Sequence, residues 1–480
     1  MILSDASKLS GATYDAIIVG SGFGSSFFLS EIIKNRRFKN ILVLEWGQHN
    51  TYDWQWDNQK NTPTSPSETY STNSKKSWNY TIGLGGGTNC WFAQTPRLHP
   101  SDFVLQSKYG IGSDWPISYD ELEPFYVSAE DIMSVSGDND MHLCLPRSAP
   151  FPQPPHNLSK PDRIMKDASP DLHFAMPTAR ARLPTEQRSS CCASMRCWLC
   201  PVNAKFTANN GLMHLFANDR VEVVTEAEVR SFEHTSNTIS AVNFRAGNRD
   251  YRVAGDLFVL GANAIQSPAI LLRSDLGGGK VGLGLHESYG AEFEAMLDGV
   301  DNFDGSTITT GLNYSLYDGE HRRTHGAALI YFENRWKHGL RAEVGRLRQI
   351  LPLTIVTEDL LEDHNRVILN AKDQAYVEYH GPSDYALQGM ELARSRLEDV
   401  LRALPIEKIE DRGIRGTESH LQGTLRMGND PDASVVDANM IHHRLRNLMV
   451  VGTAVFPTSS CSNPSLTAAA LSLRAARKLA

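Results

Sequence analysis

Cysteine is scarce in this chain: seven residues in 480, an odd number, with four of them crowded between Cys191 and Cys200. That excludes the paired disulfide framework of a small secreted fold. Long apolar runs are missing too. No stretch approaches the roughly 18 residues that a bilayer-spanning helix needs, so the chain is not expected to be transmembrane. Nor is there a basic surplus. The formal charge is -8 and, apart from Lys34, Arg36, Arg37 and Lys39, the basic residues are scattered, which argues against a nucleic-acid surface. The opening residues, Met1 to Asp5, lack the basic and apolar regions of a signal peptide, so no export signal is expected. The chain shows no repeat at a period of about 20 to 50 residues, which excludes a solenoid. What remains is 41% hydrophobic and 21% charged, long enough for two closely joined domains around a large bound cofactor.

Tyr14 to Val19 reads as a buried parallel strand, followed directly by Gly20-Ser21-Gly22-Phe23-Gly24-Ser25, which opens an apolar helix through Phe28, Leu29 and Ile32. Ile41 to Leu44 is the second strand, ending at Glu45. Together these form a dinucleotide fingerprint. Glycines let backbone amides approach a pyrophosphate at the helix N-terminus, and the terminal acid is placed for a ribose hydroxyl. Ser25 replaces the usual third glycine and is small enough for close packing. An acid at Glu45 disfavours a 2'-phosphate and hence NADP.

Val221 to Val224, Ala241 to Phe244 and Asp256 to Leu260 read as further strands of this half. The last leads through Gly261-Ala262-Asn263 into a helix at Pro268 to Leu272. Residues 60–76 form a polar loop, and the proline-rich stretch Leu145 to Leu158 an extended crossing segment. From about Gly290 to Tyr379 short strands and turns take over, followed by a helix with Met390, Ala393, Leu397 and Leu401 on one face.

Near the C-terminus, Ser419 to Gly428 and Ser462 to Thr467 set His420 and Asn463 in glycine- and proline-rich surroundings. Oxidation of an alcohol needs an acceptor for the hydroxyl proton and a donor for the developing oxyanion. Neutral imidazole accepts and an amide donates. Either residue alone reads as readily as a satisfied core histidine or a turn asparagine before proline.

Several separate blocks resemble the glucose-methanol-choline (GMC) family of flavin oxidoreductases. Gly20, Gly22, Phe23 and Gly24 lie in a segment similar to its ADP-binding turn, and Gly85 to Trp91 resembles its flavin loop. Asp114 to Tyr126 is similar to a characteristic downstream segment, and Ala264 to Leu272 to a second signature. The C-terminal blocks resemble those that supply a catalytic pair and close over the flavin. The resemblance implies an α/β fold: a Rossmann-like FAD-binding domain interleaved with an antiparallel-sheet substrate domain. Its main parts would be residues 1–289 for FAD, 290–410 for substrate and 411–480 for catalysis and closure over the flavin.

Carried over by position, His420 would be the base near flavin N5 and Asn463 would bond the same substrate oxygen. Glu45, Gly86, Gly87, Thr88, Asn89, Cys90 and Trp91 would contact FAD, as would Ala262 and Thr467. Val229 would present its backbone to the adenine. Gly452, Thr453 and Pro464 would line the ribityl and pyrimidine side, Gly452 standing where the family commonly has aspartate. Pyranose oxidases and some other relatives link FAD through a histidine where this chain has Cys90. Non-covalent FAD is therefore the expectation, with a cysteinyl link as the alternative.

The cysteine run is similar to one in the large subunits of FAD sugar dehydrogenases that carry a 3Fe-4S cluster. That resemblance makes Cys191, Cys192 and Cys197 the ligands and leaves Cys200 spare. Soft sulfur ligands also suit zinc completed by Cys200, and buried unmetallated thiols are a third reading. With a cluster, the chain would be a dehydrogenase acting on a sugar or polyol and passing electrons to a cytochrome c subunit. It would then travel with a small signal-bearing subunit to the periplasm or membrane surface. Without one, it would be a peroxide-producing oxidase, and with no export signal of its own a cytoplasmic place is equally expected. A non-catalytic nucleotide-fold escort would have no use for the His420 and Asn463 blocks.

Overall fold

Runs of Val, Ile and Leu without polar alternation need cover on both faces, and they form the parallel part of an eight-stranded sheet. The computed structural model describes residues 2–479 other than 4, 5 and 10–12. Met1, Ser4 and Asp5, in the stretch read above for an export signal, lie outside the described residues. The parallel strands run in the order Ile2–Leu3, Val221–Val224, Ile41–Leu44, Thr13–Val19, Arg249–Leu260. The long strand Arg249–Leu260 serves two ladders. Its second half pairs with Thr13–Val19 and with Leu448–Val450, while its first half turns back on Ile239–Ala246 and then Ala227–His234.

The expected strand, glycine turn and helix are present as Thr13–Val19 and Phe23–Ile32. That helix packs against Ser465–Arg477, whose alanines are nearly all buried, so the two backbones lie close. The helix foreseen at Pro268 to Leu272 spans Asn263–Arg273.

A second, six-stranded antiparallel sheet runs Ile406–Ile414, Tyr289–Leu297, Ile350–Thr357, Ala328–Glu333, Thr309–Asn313, His173–Ala175. The strand Ile406–Ile414 straddles residue 410, and His173–Ala175 reaches this sheet from the N-terminal portion. Alternation along these strands gives the sheet two different faces. Ile330, Phe332, Leu353 and Ile355 pack under Met390, Ala393 and Leu397 of the helix Asp384–Val400. Tyr331, Glu333, Thr354 and Val356 point the other way, into the cavity described below. The mixed α/β architecture with an interleaved antiparallel sheet is thus the one expected. Among the described residues no helix is long and apolar enough to cross a membrane.

Candidate active site and cofactor cradle

The chain leaves the first strand at Gly20 with φ +84°, and a Cβ there would stand 2.6 Å from the carbonyl oxygen of Gly261. Gly86, at φ +48°, brings its loop so near the helix start that a Cβ would lie 2.8 Å from Gly22 Cα. Only glycine combines that conformation with such approach. The result is a cradle of bare backbone.

Two cavities meet there. One of about 460 Å³ lies between Gly22, Phe23 and Gly24, the loop residues Gly87, Cys90 and Trp91, and the C-terminal Gly452, Thr453 and Pro464. A narrower one of about 110 Å³ shares Gly22, Gly87 and Gly261 with it and passes Gly20 and Gly86 to Glu45, Val229 and Ala262. Glu45 closes the far end. Its carboxylate accepts from Ser21 N at 3.1 Å, Ser21 Oγ at 2.6 Å and Gly47 N at 2.9 Å, and burial pushes it above its ordinary value. An elongated slot with a glycine turn in the middle and an acid at one end fits an ADP-containing cofactor.

Three residues read as cofactor contacts support the cradle from outside both cavities. Thr88 Oγ1 donates to Gly85 O at 2.8 Å and accepts from Ala208 N at 3.0 Å. Asn89 Nδ2 holds the carbonyls of Leu84 and Gly86 at 2.9 and 3.1 Å. Thr467 Oγ1 lies 2.8 Å from Tyr126 Oη.

His420 and Asn463 come together on the cavity wall, with His420 Nε2 3.2 Å from Asn463 Nδ2. The backbone fixes the histidine, since its N–H donates to Glu287 Oε2 at 3.0 Å. Asn463 Oδ1 accepts from Tyr331 Oη at 3.2 Å, which turns the amide NH2 toward the imidazole. Nε2 is then the lone-pair nitrogen and Nδ1 carries the proton, donating to Ser288 Oγ at 3.2 Å. Burial, helped by Arg415 and Lys76, pushes His420 down to about 3. It is neutral across the physiological range.

Two segments, residues 115–289 and 385–472, match the family described as GMC oxidoreductase. The chain belongs to the GMC oxidoreductase family. As a member it is an FAD-dependent oxidoreductase of CH–OH donors, and the cradle is shaped for that cofactor. The fructose dehydrogenase large subunit of Gluconobacter japonicus is 28% identical over 96% of this chain and 97% of its own length. 6'''-Hydroxyparomomycin C oxidase of Streptomyces lividus is 27% identical, over 97% of this chain and 91% of its own. 2-Methyl-1,2-propanediol dehydrogenase of Mycolicibacterium austroafricanum is 25% identical, over 96% and 94%. In fold, the chain is similar to pyridoxine 4-oxidase from Mesorbium loti, with a TM-score of 0.68 at 17% identity, covering 97% of this chain and 99% of that one.

In this GMC oxidoreductase the cysteine run flanks the cavity through Trp198. Its sulfurs have different partners. Cys191 Sγ is 3.7 Å from Thr307 Oγ1, Cys192 is exposed, and the buried Cys197 lies 3.6 Å from Arg180 Nη1. Cys200 Sγ accepts from Ala204 N at 3.2 Å. Among the described residues no three His, Cys, Asp or Glu side chains gather as a metal site.

Sequence reading missed Tyr331, Glu333, Arg335 and Glu418, all of which line the cavity. A signal for two of them was available: in Ala328–Glu333, Tyr331 and Glu333 are polar at alternate positions of an otherwise apolar strand. Glu418 is buried beside the site, and burial pushes its carboxyl up to about 7.

Proposed function

We propose that the protein oxidises a CH–OH group of a sugar, glycoside or polyol to the carbonyl, with His420 as base and Asn463 as oxyanion donor. One observation carries this: a neutral, half-buried His420 whose Nε2 lies 3.2 Å from the Asn463 amide, in a cavity that runs into the dinucleotide cradle. Nε2 takes the hydroxyl proton, while Asn463 Nδ2 holds the same oxygen as negative charge grows on it. Bound FAD supplies the hydride acceptor. Backbone at Gly22 and Gly24 would hold its pyrophosphate, Glu45 a ribose hydroxyl, Val229 the adenine, and Gly452, Thr453 and Pro464 the flavin flank. Binding is non-covalent in this reading, because Cys90 stands where the covalently linked relatives have histidine. The names of the fructose and diol dehydrogenases among the relatives support a polyhydroxylated substrate. Anaerobic addition of fructose, glucose or mannitol bleaches the flavin if this is right, and no bleaching by any of them ends it.

The same reading sends electrons out through a 3Fe-4S cluster on Cys191, Cys192 and Cys197 to a partner such as a cytochrome c subunit. Loaded, such a centre accepts electrons singly. Counter-charge supports it. Arg180 is 1% exposed, and among the described residues its Nε and Nη2 have no hydrogen-bond partner. Lys205 is buried too, and among the described residues it meets only the carbonyls of Asn89, Trp91 and Trp198. Among the described residues neither cation pairs with a carboxylate, and both lie close to Cys197. Buried cations of this kind call for an anion. The name of the Gluconobacter relative, a large subunit, supports a multi-subunit assembly, with a small subunit carrying the export signal to the periplasm or membrane.

The name of the Streptomyces lividus relative, an oxidase, favours a second reading, a peroxide-producing oxidase without a cluster. The two differ in the anaerobically purified protein. Iron and a low-temperature EPR signal, both lost in Cys197→Ser, are expected of the first, and peroxide formation without iron of the second.

The pH dependence separates His420 from its neighbour. A histidine held down at about 3 is already a free base at pH 5, so it gives no acid limb between pH 5 and 8. Glu418 keeps its proton until about pH 7 and loses it as pH rises through that value. An inflection near pH 7 in the rate of flavin reduction is therefore expected to vanish in Glu418→Gln. An inflection near 6.5 that survives the substitution would mean that His420 titrates normally.

A further inference from the structure

Glu333 and Arg335 take no part in the proton transfer, yet both face the cavity. Glu333 is 3% exposed, and its Oε2 accepts from Thr309 Oγ1 at 3.0 Å and from Arg335 Nε at 2.9 Å. Its Oε1 accepts from Arg335 Nη2 at 3.1 Å. Thr309 Oγ1 in turn accepts from Gln94 Nε2 at 2.7 Å, and Arg335 lies over the Phe92 ring with Cζ 5.5 Å from its centre. The pair is locked in place, but its capacity is not used up. Arg335 Nη1 has no hydrogen bond among the described residues, and Glu333 Oε1 has a lone pair to spare.

An ion pair withdrawn from water adds little stability over apolar side chains of the same volume. Held open on a cavity wall, the same pair is a planar fork with an acceptor beside a donor. Because Glu333 neutralises Arg335, the fork does not demand an anion. Neighbouring hydroxyls, each able to donate and accept, match it.

The strand sets the distance. Tyr331 and Glu333 share one face of Ala328–Glu333, about 7 Å apart by strand rise, and Tyr331 touches Asn463. The fork thus stands roughly one hexose unit from the reacting carbon. We infer that Glu333 and Arg335 form a subsite for hydroxyl groups remote from the carbon being oxidised, so that the substrate is a polyhydroxylated molecule of hexose size. This rests on the CH–OH oxidation proposed above. A monohydric alcohol would leave the fork unpaired, and sites built to bond a hydroxyl reject analogues lacking it by orders of magnitude.

Anaerobic stopped-flow reduction of the FAD-loaded protein by D-fructose, D-glucose, D-mannitol and 1-hexanol tests the subsite. At least one polyhydroxylated compound should bleach the flavin far more efficiently than 1-hexanol. Arg335→Gln and Glu333→Gln should raise the half-saturating concentration of that compound roughly 10- to 100-fold, with the limiting rate changed by only a few fold. Thr309→Val, which lies outside the cavity lining and removes only the hydroxyl that bonds Glu333, should give a smaller rise and decides the matter if the other two variants lose FAD. Unchanged half-saturation in the variants, or 1-hexanol bleaching as readily as the sugars, overturns the subsite and leaves alcohol oxidation standing. Failure of all four compounds to reduce the wild-type flavin overturns both.

Discussion

His420→Ala slows flavin reduction by about two to four orders of magnitude while FAD stays bound, the usual worth of a positioned general base. The two halves of this outcome have separate causes. In the proposed reading, retention of FAD depends on the backbone cradle at Gly20, Gly22 and Gly86 and on Glu45, which is held by Ser21 and Gly47. His420 bonds to none of these. It is tied instead to Glu287, Ser288 and Asn463. Truncation leaves the Asn463 amide in place, still oriented by Tyr331, so on the proposed mechanism the substrate oxygen keeps its donor and loses only its proton acceptor. Water can occupy the vacated space, but it is a far weaker base than imidazole. Single-turnover reduction under anaerobic conditions isolates this step from whatever removes the electrons. A rate equal to that of the wild type would remove His420 from the chemistry.

The cradle was readable in the sequence because its determinants are local. A strand, a glycine turn, a helix and a terminal acid lie within Tyr14 to Glu45, and each follows from its neighbours. His420 and Asn463 were readable as candidates through the glycines and proline around them. The fork was not, because its position depends on a ladder between Ile350–Thr357, Ala328–Glu333 and Thr309–Asn313, whose partners lie tens of residues apart. Alternation in Ala328–Glu333 shows that Tyr331 and Glu333 share a face, but not what that face looks onto. Thr88, Asn89 and Thr467 illustrate the converse. They belong to blocks that touch the cavities, yet their own side chains are spent holding the loop and the C-terminal helix. For the cysteine run, spacing names the sulfurs, whereas their convergence depends on how Arg180, Thr307 and Ala204 pack around them.

Arg322→Met costs about 3–5 kcal/mol of stability and is felt at Asn463, although residue 322 lies outside the cavity. Arg322 is completely buried and bonds Asp102 Oδ1 at 2.8 Å, Glu358 Oε1 at 2.9 Å and Ser101 Oγ at 2.6 Å. Both carboxylates are themselves 0% exposed. Removing the guanidinium leaves two charges in the interior with only neutral donors. Asp102 keeps Tyr317 and Ser460, and Glu358 keeps Tyr385 and the backbone of Ala327. The same Tyr317 hydroxyl lies 2.7 Å from Ser460 Oγ and 3.2 Å from Ser462 Oγ, in the turn that ends at Asn463. Repulsion between the orphaned carboxylates therefore loosens the loop that carries Asn463, and the limiting rate of reduction is expected to fall along with the unfolding midpoint. One control separates lost charge from lost packing. Adding Asp102→Asn and Glu358→Gln to Arg322→Met should recover most of the deficit. Thermal unfolding of the single and triple variants reads it, and an Arg322→Met protein as stable as the wild type would mean that the buried cluster contributes no net stability.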